Sequence, residues 1–152
     1  MNLSSYDFEV SPDHFEYEFY SKGPKGLIRK LVRFAPFTIY GKDFINLGFG
    51  DWNEETQTMD DFMTTHNGDT DKVLVTVAYI VFHFTDRFLN SIIYIEGSTP
   101  SRTRLYQMTI NRNFEIIREL FDLFGFPEAD GMQPFSHGVN YLAFLVKRKQ
   151  FK

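Results

Sequence analysis

Ser98-Thr99-Pro100-Ser101-Arg102-Thr103-Arg104-Leu105-Tyr106 gathers hydroxyls, two guanidinium groups and a phenol into nine residues, directly after Gly97. Thr99 is a favourable N-cap and Pro100 a favourable first helical residue, so a helix is expected to begin there with backbone N–H groups pointing outward. Such an end attracts anions, and Arg102 and Arg104 add positive charge beside it. The expected ligand set is Ser98, Thr99, Arg102, Arg104 and Tyr106, facing a phosphate or carboxylate. A plainer explanation competes: capping alone accounts for Thr99 and Pro100, with the arginines solvated or paired to carboxylates. Residues two apart on a helix point in different directions, so one anion meets both arginines only if the helix starts late or one side chain reaches around. With a single glycine and no lysine at the required place, the stretch is not a P-loop.

Other reactive groups are dispersed. His14, His66, His83 and His137 show neither i, i+4 nor HExxH spacing, which gives no case for a histidine metal site. His83 reads as a partly buried, hydrogen-bonded residue. His66 and His137 could act in catalysis only through tertiary proximity. Asp51, Glu54, Glu55, Asp60, Asp61, Asp69 and Asp71 match no EF-hand pattern and read as a solvated acidic loop, with Asp69 capping a helix. Lys22, Lys25, Arg29, Lys30 and Arg33, with Lys147, Arg148, Lys149 and Lys152, could bind a nucleic-acid backbone, Tyr20 stacking on bases. Ordinary edge-strand charge is the simpler explanation. No metal, cofactor or catalytic motif is recognised.

The 152 residues suit one domain, 1–152, with a core rich in its 18 Phe and 8 Tyr. A net charge of −4 gives no global electrostatic case for nucleic acid. The lack of cysteine excludes disulfides and thiolate-held metals. Residues 1–7 carry no secretory pattern, and the apolar stretch Val73 to Phe84 is too short to span a bilayer. The expectation is a cytoplasmic protein without membrane contact, partnered by a nucleotide, nucleic acid or acidic protein, its oligomeric state open.

Phe15, Tyr17 and Phe19 alternate ahead of the turn residues Lys22-Gly23-Pro24-Lys25-Gly26, and Leu27–Phe34 resumes beyond it. This predicts a β-hairpin in which Glu16 and Glu18 oppose the basic arm. A helix for 27–34 is the competitor. Phe37–Phe49 suggests one or two strands, broken near Gly41, and 51–71 a polar excursion. Polar positions three and four apart predict a mostly buried helix over Lys72–Leu89. Ser91–Glu96 reads as a strand. From Thr99, with Leu105, Met108 and Thr109 as one face and Ile117, Leu120, Phe121 and Phe124 as the next, comes one kinked helix or two, ended by Gly125 and Pro127. Tyr141–Val146 is the last strand. The order β-β-β-α-β-α-β predicts an α+β fold, a largely antiparallel sheet with two main helices packed on it.

Gly23-Pro24-Lys25-Gly26, Asn46-Leu47-Gly48-Phe49-Gly50-Asp51, Asn67-Gly68-Asp69 through Lys72–Val77, and the run Gly97 to Tyr106 give a chain that resembles a family of small proteins of unknown function from Bacteroidota. The resemblance implies a small bacterial intracellular protein without an established activity, and makes residues 97–106 the family's signature without assigning them a role. The function expected is a binding domain using the helix start at Ser98–Arg104. The alternatives are a small RNase or toxin-like enzyme using Arg102, Arg104, Tyr106 and a histidine, and a partner-dependent structural protein whose aromatic surface another chain covers.

Overall fold

In the computed structural model, which describes residues 3–60, 67–128 and 131–150, the Tyr17-x-Phe19 alternation produces strand β2 (Glu16–Gly23). Its partner β3 (Gly26–Ile39) follows a two-residue turn, and the helix alternative for 27–34 falls away. Glu16 lies opposite Arg33, which donates Nε to Glu16 Oε1 at 3.0 Å, and Arg29 Nε donates to Glu18 Oε2 at 2.9 Å. The acidic and basic arms meet as expected. The strand β1 (Glu9–Val10) pairs with β2. After Tyr40-Gly41, β4 (Lys42–Asn53) pairs in turn with β5 (Thr58–Asp60). The expected polar excursion is therefore partly strand. Asn53 Oδ1 accepts from the amides of Glu55 and Thr56 and turns the chain back on itself.

The chain divides into two compact units, Met1–Ala35 with Leu47–Phe84, and Pro36–Asn46 with Thr85–Lys152. In the first, the strand order is β1-β2-β3-β4, with β5 on β4. The helix α1 (Thr70–Arg87) begins after Asp69, whose carbonyl accepts from Val73 N at 2.9 Å. Asp69 Oδ2 accepts from the hydroxyls of Tyr6 (2.6 Å) and Ser21 (2.5 Å), so this carboxylate ties the helix start to β2. Many β-branched residues weaken the helix intrinsically, and burial of Val73, Val75, Ile80, Val81 and Phe84 compensates. Phe84 stacks on Phe34 with centroids 4.0 Å apart. One charged pair lies within this apolar setting: the Lys30 ammonium, 1% exposed, donates to Asp51 Oδ1.

In the second unit, the order is β4-β6-β9-β7-β8, with β6 (Ile92–Ile95), β7 (Phe121–Pro127), β8 (Gln133–Pro134) and β9 (Tyr141–Arg148). The helices α2 (Pro100–Arg112) and α3 (Phe114–Leu120) precede β7. Two helices in succession agree with expectation, but the second stops at Leu120. Phe121 and Leu123 alternate along β7, opposite Arg148 and Val146, and pairing with β9 overrides the helical spacing. Gly125 is no helix terminator. A Cβ there would lie 2.3 Å from the Tyr141 ring, so the residue is small because an aromatic crosses it. The expected α2 face also differs, since Met108 is exposed while Arg102, Thr103, Gln107 and Thr109 are buried. A polar face is tolerable because Gln107 is bonded at both ends, donating Nε2 to Val139 O and accepting from Tyr141 N at 3.1 Å. The fold is α+β with a largely antiparallel sheet, and among the described residues no helix is long and apolar enough to cross a membrane.

Candidate functional site at the start of α2

The helix begins where the sequence places it. Thr99 is extended (φ −137°, ψ 156°), and its side chain accepts from Arg102 N at 3.2 Å. Its carbonyl accepts from Thr103 N at 3.1 Å. Pro100 has no N–H, so Ser101 carries the first-turn amide that the cap leaves unused. Gly97 lets the incoming strand end press against the helix: a Cβ would stand 2.5 Å from Thr103 N. Thr103 Oγ1 fixes that approach by accepting from Gly97 N at 3.0 Å.

The two arginines part as their spacing requires. Arg102 is buried, and its Nη1 donates to Ser98 Oγ at 2.7 Å, four residues back across the turn. Arg104 is exposed. Tyr106 is half-buried, one turn beyond Arg102. Thr99 Oγ1 is spent as an acceptor but keeps its own proton for donation. Just upstream, Glu96 accepts from Tyr94 Oη at 2.9 Å. Burial, then this carboxylate, pushes the Tyr94 phenol up to about 12. A raised phenol stabilises the fold fully below its usual value near 10, and that contribution disappears as pH rises toward 12. In an alkaline unfolding titration, Tyr94→Phe is expected to flatten the loss of stability across that window; an unchanged slope would contradict the assignment.

A family model described as a family of unknown function (DUF6934) matches residues 2–149. The chain belongs to that family. No curated protein and no solved structure matches it.

The remaining candidates in this DUF6934 member are otherwise engaged. His83 is exposed and not partly buried; its Nδ1 shares a 2.7 Å hydrogen bond with Tyr17 Oη, and its ring stacks on His14 with centroids 6.3 Å apart. His137 lies edge-on to Phe114. His66, Asp61 and Lys152 fall outside the described residues. Among those described, no three His, Asp or Glu side chains are grouped to hold a metal. The basic run does not form a free stripe: Lys30 is buried against Asp51, and Arg29 and Arg33 pair with glutamates. Sequence reasoning missed the close approach at Gly97 and the polar underside of α2. A lone glycine ahead of a cap was the only signal for the first. For the second there was none, because a buried Gln or Thr reads as surface in a hydropathy pattern.

Proposed function

We propose that the protein is a small bacterial, cytoplasmic binding domain that takes a phosphate-bearing ligand at the start of α2. One observation carries this: the Arg102 side chain sits in the first helical turn in a residue only 9% exposed, with a serine hydroxyl and no carboxylate as its partner among the described residues. That turn contains no acidic residue. A cation at the positive end of a helix dipole is unfavourably placed, and a buried charge without an ionic partner is costly. A phosphate removes both penalties. Its oxygens can take the Ser101 amide, the Thr99 hydroxyl and the remaining Arg102 N–H groups, with Arg104 reaching in from the exposed side. Tyr106 would wall the site one turn along. The resemblance to Bacteroidota proteins and the cysteine-free sequence support the bacterial, reducing setting.

Thermal unfolding of Arg102→Met tests this. Methionine keeps the length of the side chain and removes its charge. In phosphate-free buffer the variant should melt at or above the wild-type temperature. Added inorganic phosphate should raise the wild-type midpoint, by mass action on the folded state, and leave the variant unmoved. Equal responses to phosphate, or a variant that loses several degrees without it, would make Arg102 a structural residue.

A further inference from the structure

We infer that the first unit carries a separate binding site for a neutral polyhydroxylated ligand, a single sugar unit, in the cavity formed by Glu9, Glu16, Glu18, Arg29, Arg33 and Trp52. Its volume is about 320 Å³, at the small end of the ~300–1,000 Å³ typical of small-molecule sites.

The charges in this cavity are arranged in pairs. Arg29 binds Glu18 through Nε (2.9 Å) and Nη2 (2.5 Å), and Arg33 Nε binds Glu16 Oε1 at 3.0 Å. Each pair leaves hydrogen-bonding capacity unspent: Glu16 Oε2, Glu18 Oε1, the two terminal nitrogens of Arg33, and both oxygens of Glu9. Donors and acceptors therefore alternate along one wall, with little net field. An anion would meet three carboxylates, and a cation two guanidiniums. An amino acid would have to split the existing pairs to be held at both ends. Hydroxyl groups donate and accept together, so they can bridge a carboxylate and a neighbouring guanidinium while both pairs stay intact.

Two features show an incomplete set of partners. Glu9 stands directly opposite Glu18 in the β1–β2 register, a like-charge cross-strand pair that is ordinarily unfavourable. Sugar hydroxyls donating to both would relieve it. The Trp52 indole Nε1 is buried and has no acceptor, which is costly for a tryptophan. Its ring, with the Arg29 guanidinium 5.0 Å from the centroid, adds the flat apolar surface on which sugar C–H faces pack.

Trp52 is the one tryptophan of the chain, so its emission reports this site alone. The intact protein is titrated with D-glucose, D-galactose and D-mannose, and with glycine and putrescine at matched ionic strength. At least one hexose should give a saturable emission change in the millimolar range, and neither charged probe should. Glu9→Ala and Arg33→Ala, which remove exposed side chains, should each weaken that hexose tenfold or more at unchanged melting temperature. No saturable change with any hexose would overturn the proposal, as would a response to glycine or putrescine instead, or wild-type affinity in both variants. Phosphate binding at α2 is unaffected by any of these outcomes.

Discussion

Asp51→Ala is expected to cost about 3–5 kcal/mol of folding stability, because it strands an ionised lysine inside an apolar layer. Lys30 sits opposite Phe19 in the β2–β3 register and is 1% exposed, so its ammonium cannot reach water when its partner is removed. For a chain of this size each kcal/mol shifts the melting temperature by ~2–4 °C, so a fall of about 10 °C is expected. The double variant Lys30→Met with Asp51→Leu should recover most of the loss, since replacing a whole buried pair by apolar groups is often close to neutral. Urea unfolding of the two single variants and the double one gives the coupling directly. Additive losses would show that the two side chains do not act as a pair.

Gly97→Ala is expected to cost about 2–3 kcal/mol and to abolish the phosphate response as well. The added methyl would stand 2.5 Å from Thr103 N, 2.8 Å from Arg102 Cβ and 2.9 Å from Arg102 C. Two of these three atoms are backbone, so relief requires the first turn of α2 to move away from the end of β6. That movement would carry Arg102 out of reach of Ser98 Oγ. Gly131→Ala is the matched control, because nothing lies within 4 Å of its Cβ, and it should change stability by less than about 0.5 kcal/mol. Equal midpoints for the two variants in thermal unfolding would remove the tight junction from consideration.

Local rules located the β2–β3 hairpin, α1, β6, the start of α2 and β9, because each carries strong short-range chemistry. The hairpin has turn residues between alternating aromatics and opposed charges, and α2 has Thr99-Pro100. Residues 121–127 went wrong for a definite reason. Phe121, Phe124, Gly125 and Pro127 satisfy a helix face and its terminator, but they satisfy a strand equally well, and only pairing with β9, some twenty residues away, decides. β5 was concealed in a similar way: Thr58–Asp60 is polar and short, and it exists because Asn53 turns it back onto β4. At the site, the cap and the divergence of Arg102 from Arg104 followed from helix geometry. Which arginine would be buried did not, since that depends on Ser98 and on how the sheet approaches through Gly97.

The most direct measurement is a titration of isotopically labelled protein with inorganic phosphate, following backbone amide resonances against a chloride control of equal ionic strength. Binding at α2 predicts saturable shifts centred on Ser101 and Arg102, absent in Arg102→Met, while the amides around Trp52 stay still. Shifts spread evenly over exposed lysines such as Lys22, Lys25 and Lys147, or none at Ser101, would contradict a phosphate site at this helix start.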